Sequence, residues 1–334
     1  MSYQEFQQKV YSHLIKYKKE ILKIDGKGLS ARGVEHDCLL PSPYCDAKMP
    51  IMLYGGIKSI VKEIQESKFA YKPHIAASVH VASSQTACIN LFAPILESEY
   101  ADWILKESGV APKGFDHIDR KQLRKGYCFE YWESSLEGSK GLLGDHSPHA
   151  GTDSDVAIAF RNQSNELCLW LIEHKLTEQE FTTCGGYRSK GISESEKENC
   201  TSCGIKELLE NHDKCYYHKH CGYYYWRIME KQYSFFCGKY EGVGCPFRGG
   251  MNQLWRNQML ALELENRGEF TEVYFSVVSH PDNCFLEKTM KEYRRLTNNS
   301  PKFYAFKSNT LVDKAVAYLP DWSSWYKKVY LGID

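Results

Sequence analysis

The sequence predicts an α/β domain, and three observations carry that reading. Two stretches with helical apolar spacing, SSQTACINLFAPIL from Ser83 and MNQLWRNQMLALELENRG from Met251, bracket the middle of the chain. Between them lie an aromatic, β-favouring run and two apolar runs split by a polar turn. A further apolar run, EVYFSVVSH, follows the second helix. The resulting order is helix, strand, strand, strand, insertion, helix, strand.

From the N-terminus, Phe6, Val10, Leu14, Tyr17 and Ile21 recur at helical spacing, ending near Asp25-Gly26-Lys27-Gly28. A Pro- and Cys-bearing loop and a second helical stretch, YGGIKSIVKEIQESK, complete an N-terminal helical extension over residues 1–79. In the first core helix Cys88, Ile89, Phe92, Ile95 and Leu96 form one apolar face, with Ser83 or Ser84 as its cap. GYCFEYWESS (126–135) reads as a strand, and VAIAF and LCLWLI flank RNQSNE as a hairpin. Residues 184–245, rich in Cys, His, Tyr and Gly, have no sustained period and read as an irregular insertion. Met251, Leu254, Trp255, Met259 and Leu262 share one side of the second core helix, which stops at Gly268. The remainder, down to WSSWYKKVYLGID, looks mixed and partly helical.

Composition narrows the function. With 334 residues, 43% hydrophobic and 25% charged, the chain matches soluble globular proteins and excludes wholesale disorder. Lys+Arg and Asp+Glu are equal at 42 each, so no global field announces a polyanionic partner. Any nucleic-acid surface is then a local patch, with RKQLRK (120–125), KEYRR (291–295) and Lys327-Lys328 as candidates, each read first as a solvated face. The N-terminus lacks the apolar run of a secretory signal, and no segment has the roughly 20 apolar residues that cross a bilayer. A cytoplasmic protein without a membrane partner is expected, and its 13 cysteines are then thiols or metal ligands.

The hairpin carries the chemistry. If its turn is symmetric about Ser164, Asp155 faces Glu173 and Asp153 faces Lys175, all on one side, while His174 points to the other. Opposed residues have Cβ atoms about 4.5–5.5 Å apart, where two carboxylates repel unless a proton or cation sits between them. Mg²⁺ suits such a pair together with waters and phosphate oxygens. A lysine two residues beyond the second acid can orient or help deprotonate a metal-bound water and offset charge on a phosphate. Acid-any-Lys triplets also occur at Asp25, Asp46, Glu66 and Asp119, but only Glu173-His174-Lys175 closes an apolar strand preceded by an aspartate-bearing one. The alternative is a hairpin with merely solvated ends. His146 and His149, with aspartates nearby, could hold a transition metal, but the surrounding Pro and Gly favour a loop.

Asp155 followed by Glu173-His174-Lys175 resembles the PD-(D/E)XK nuclease superfamily. The chain also resembles a branch of uncharacterised restriction endonucleases with a similar SSQ-and-LF helix and an R-N-Q helix. The likeness runs over residues 80–280, interrupted by the insertion, and Ser154 stands where the family motif has proline. It implies a restriction-endonuclease-like core of order αβββαβ, with a mixed central sheet flanked by helices, over residues 80–334. It implies a metal-dependent nuclease hydrolysing DNA, of restriction or DNA-processing type, with Asp155 and Glu173 as Mg²⁺ ligands and Lys175 catalytic. Gln258, with Arg256 and Asn257, is the candidate to bind water or phosphate near the metal. Glu97 and Glu99 are candidates for a further acid on the first core helix, and Gln85 is read as structural. Double-stranded DNA is the expected partner, and a homodimer is left open. The competing function is an inactive nuclease fold that binds nucleic acid or protein through its Cys-rich part.

That insertion carries Cys184, Cys200, Cys203, Cys215, Cys221, Cys237 and Cys245, with His212, His218 and His220 among them. Cys200-Thr-Ser-Cys203 has the spacing with which two thiolates grip one ion, and Cys215 with Cys221 or Cys237 with Cys245 would complete a tetrahedral site. Structural Zn²⁺ is the first reading. An iron–sulfur cluster, which some superfamily relatives carry, and free thiols are the alternatives. Tyrosines and Trp226 in CGYYYWR either stack on bases or pack around the metal, the second being preferred.

Overall fold

A computed structural model describes residues 1–132, 140–147 and 150–333. Its centre is a six-stranded mixed sheet. The strands are β1 (Phe115–Ile118), β2 (Tyr127–Tyr131), β3 (Ser154–Asn162), β4 (Leu167–Lys175), β5 (Glu272–Ser279) and β6 (Phe303–Lys307). β3 and β4 form the expected antiparallel hairpin, while β4, β5 and β6 run parallel. A two-stranded ribbon, Gly28–Leu29 with Glu35–His36, lies apart.

Two departures from the sequence reading concern strands. Where one strand was expected before the hairpin there are two, and they share the outer edge of β3: β1 pairs with its Phe160–Asn162 end and β2 with its Ser154–Ile158 end. β6 was hidden in the C-terminal stretch because FYAFK is short and only half-buried, and so lacks a long apolar run.

Strand alternation sorts the core into two layers. Val156, Ile158, Phe160, Trp170 and Ile172 pack with helix α2 (Ser84–Glu97), which follows helix α1 (Tyr3–Glu20) in the chain. Ala157, Ala159, Leu169 and Leu171 pack with helix α3 (Met251–Asn266). The same first layer takes Phe6, Val10 and Leu14 of α1, so the N-terminal helix shares the sheet's core. Ile21, just past the end of α1, is exposed, and the fully buried place one turn beyond Leu14 goes to Lys18. The Lys18 ammonium donates to the carbonyls of Gly26, Asp37 and Leu39, which offsets its desolvation.

α2 is buried from Gln85 to Leu96 despite carrying Pro94 in its interior. Proline has no N–H for the carbonyl four residues back, and that carbonyl, on Asn90, accepts the Trp322 indole N–H at 2.8 Å. The Asn90 side chain accepts from Tyr54 N and donates to Met52 O and the Tyr330 hydroxyl. Trp322→Phe removes the donor and leaves a buried carbonyl unpaired. It is expected to cost about 1–3 kcal/mol, read as a lower urea midpoint with an unchanged far-UV spectrum.

Candidate active site

The hairpin register sets Val156 opposite Ile172 and Ala157 opposite Leu171. One residue further, it brings Asp155 across from Glu173 on the α3 side of the sheet, in the register the sequence suggested. His174 turns the other way, its Nδ1 3.2 Å from Ser84 Oγ at the start of α2. Burial pulls its imidazole down to about 3, so it is neutral.

Each acid is held by donors. Asp155 Oδ2 accepts the His174 amide at 2.6 Å. Glu173 Oε1 accepts from Lys175 Nζ at 2.8 Å and Gln253 Nε2 at 2.7 Å, and its Oε2 accepts from Asn257 Nδ2 at 2.7 Å. Gln253 and Asn257 lie one turn apart on α3 and therefore reach the same carboxylate.

A third acid arrives from β2. Glu130 has a left-handed backbone, φ 51°, an unfavourable conformation for a residue with a long side chain. The twist reverses the strand's alternation, since Phe129 packs in the α2 layer and Tyr131 in the α3 layer. Gln85 Nε2 donates to the Glu130 carboxylate at 2.8 Å, and His74 Nε2 lies 3.1 Å from it. The hydrogen bond to Glu130 raises the His74 imidazole above its ordinary value. Asp153 is the fourth acid.

These four acids, Glu178 and Lys175 line one cavity of about 240 Å³. Crowding shows in their protonation. Burial, then Glu130 and Glu173, push Asp153 up to about 7, and burial, then Glu173 and Glu130, push Asp155 well above the carboxylate range. Burial pulls Lys175 down, but Glu173, Glu178 and Asp155 outweigh it and the ammonium is held above its usual value. Five carboxylates, Glu178 among them, against one fixed ammonium form a site that takes up either protons or a cation.

The donor set fits Mg²⁺, a hard ion that needs one or two carboxylates and completes its shell with waters and phosphate oxygens. Among the described residues, no group of three or more His, Cys, Asp or Glu side chains is arranged to hold a metal ion. That arrangement would suit a dedicated protein cage, which Mg²⁺ does not require.

The R-N-Q segment divides three ways. Asn257 reaches Glu173, Arg256 lies 3.9 Å from Asp145 in a buried group with Tyr225, and Gln258 does not line the cavity. Gln258 is fully buried, and neither its amide nitrogen nor its oxygen has a hydrogen-bond partner. One residue along a helix is a rotation of roughly 100°, so the polar face that serves Glu173 is Gln253 with Asn257. Glu97 is taken by Arg124 and Tyr127, and Glu99 is exposed. His146 Nε2 donates to Thr152 O at 2.8 Å and the ring stacks on Trp132, while His149 lies outside the described residues. Glu130, His74 and Gln253 escaped the sequence reading; the pair Gln253 and Asn257 at helical spacing was the available signal.

The cysteines also regroup. Cys184, Cys200, Cys215 and Cys245 line one cavity, and Cys203, Cys221 and Cys237 do not. The Cys200–Cys203 pair is split because Cys200 belongs to the helix Glu194–Ser202 and Cys203 to its extended exit, where Sγ lies 3.9 Å from Asn199 Oδ1. Cys237 is exposed, its Sγ 3.0 Å from Ser234 O.

A mixed sheet flanked by helices, with a hairpin delivering acids and a lysine to one cavity, agrees with a restriction-endonuclease-like protein. The family model described as Restriction Endonuclease associating with ARP (REase-ARP) matches residues 48–331, and the chain belongs to that family. No curated protein and no solved structure matches it. Among the described residues, no helix is long and apolar enough to cross a membrane.

The acid cluster has a pH signature. Asp153 keeps its proton when folded up to about pH 7, whereas its ordinary value is 3.8. The folded state therefore binds more protons, and this group's contribution to stability falls as pH rises between those values. Without added divalent metal, Asp153→Asn is expected to melt increasingly above the wild type as pH is raised from 5 to 8. Mg²⁺ should raise the wild-type melting temperature more at pH 8 than at pH 5.5.

Proposed function

We propose that the protein is a Mg²⁺-dependent endonuclease of the PD-(D/E)XK type that hydrolyses double-stranded DNA. The observation that carries this reading is the convergence of Asp155, Glu173 and Lys175 on one cavity from adjacent antiparallel strands. The family's description as a restriction endonuclease supports DNA as the substrate.

In this reading Asp155 and Glu173 hold the ion, and Glu130 and Asp153 enlarge the negative basin around it. Bound Mg²⁺ supplies Lewis-acid polarisation of a phosphate and acidifies water. The Lys175 ammonium would orient or help deprotonate the metal-bound water and offset the negative charge that builds on the phosphate. Gln253 and Asn257 fix the Glu173 carboxylate, and Gln85 with His74 fixes Glu130. The lysine's 2.8 Å contact with Glu173 keeps the ammonium in place before substrate arrives.

Purified protein is expected to nick or linearise plasmid DNA with Mg²⁺ and to stop when the ion is chelated. Lys175→Ala should slow cleavage by about 10²–10³-fold, and Asp155→Ala should abolish it. Cleavage that survives both substitutions overturns the site. A wild type that cuts neither methylated nor unmethylated duplex overturns the activity in favour of a binding role.

A further inference from the structure

Two elements hold the imidazole of His74, which lines the acid cavity from the segment before α2. Its main-chain amide donates to Gln85 Oε1 at 2.9 Å, and Gln85 Nε2 donates both to Lys72 O at 3.1 Å and to Glu130 Oε1 at 2.8 Å. One buried amide of α2 therefore fixes His74 and its carboxylate partner together. His74 Nε2 in turn donates to Glu130 Oε2 on β2 at 3.1 Å. Glu130 takes part from a left-handed backbone conformation, and strain of that kind persists where the surroundings hold a functional group in place.

The partner sets the chemistry of the ring. With Nε2 committed to Glu130, Nδ1 is the ring atom left to meet a substrate. The hydrogen bond to Glu130, then the charges of Glu130 and Asp153, outweigh burial and the charge of Lys72, so the ring favours its proton-bearing form.

Strand order places this donor across the cavity from Lys175. β2 and β4 flank β3, so Glu130 with His74 stands to one side of Asp155, and Glu173 with Lys175 stands to the other. Neighbouring strands lie about 4.8 Å apart, which separates β2 from β4 by roughly 10 Å. A phosphoryl group is displaced in line, with the attacking and leaving oxygens on opposite sides of phosphorus. Water attacking from the Lys175 side then leaves the departing oxygen facing His74.

We propose that His74 is a catalytic residue of the endonuclease and donates the Nδ1 proton to the bridging oxygen that leaves. This role rests on the endonuclease reading above. Water attacks phosphorus, the bond to the bridging oxygen breaks with its electron pair going to that oxygen, and the oxygen takes the imidazolium proton. The water's proton passes to solvent, and the neutral ring regains one from solvent. A phosphate monoester and an alcohol result.

The test compares an ordinary duplex with one carrying sulfur in place of the bridging oxygen at the bond the wild type cuts, because a thiolate leaves without a proton. His74→Ala and His74→Gln are expected to lower kcat by about 10²–10⁴-fold on the ordinary duplex, with KM little changed, and to match the wild type on the sulfur duplex. Wild-type cleavage should fall along an alkaline limb that both variants lose and that Glu130→Gln moves to lower pH. In metal-free protein without DNA, NMR titration of the His74 ring should show the same downward shift in Glu130→Gln. Equal slowing on both duplexes, full activity in His74→Ala, restoration by His74→Gln, or an unshifted ring in Glu130→Gln overturns the proton donor while the nuclease stands. A wild type that cuts no duplex overturns the endonuclease reading, and the role of His74 falls with it.

Discussion

The register of one hairpin governs the site. Because Val156 lies opposite Ile172, Asp155 and Glu173 meet on the α3 face and His174 is sent to the α2 face. A shift of one residue would exchange those faces and scatter the charges. The register is protected by burial on both sides, since every residue from Val156 to Phe160 and from Cys168 to Ile172 is buried. An apolar sandwich thus fixes the position of acids that would otherwise repel one another.

The donors around those acids show how a folded chain tolerates them. Glu173 is matched by one ammonium and two amides, Glu130 by an amide and an imidazole, and Asp155 by a single peptide N–H. Asp155 and Asp153 have the fewest such donors, and burial with neighbouring carboxylates raises both. Carboxylates short of donors at a structured cavity favour uptake of a proton or a cation.

Much of this was legible in the sequence. The apolar runs VAIAF and LCLWLI and the polar turn around Ser164 marked the hairpin, and the helical spacing in SSQTACINLFAPIL and MNQLWRNQMLALELENRG identified α2 and α3. Other features were not legible for physical reasons. Glu130 joins the site through a backbone twist that leaves no mark in composition. Gln258 was named from a family motif and not from the helix face, which is where Gln253 lies. In the insertion, local Cys spacing suggested Cys200 with Cys203, while the actual grouping is set by contacts between distant segments that spacing does not report.

The parallel pairing of β4 with β5 has a consequence for how the molecule is made. β3 and β4 close locally across a short turn, but β5 cannot join them until residues 176–271 have emerged and brought their ends together. Closing a long loop costs entropy before any ladder bond rewards it. Ordering of the intervening Cys-rich stretch shortens that search, so assembly on the ribosome would proceed from an early N-terminal half to a late clasp, with Asp155 and Glu173 in place before the helix that steadies Glu173 arrives.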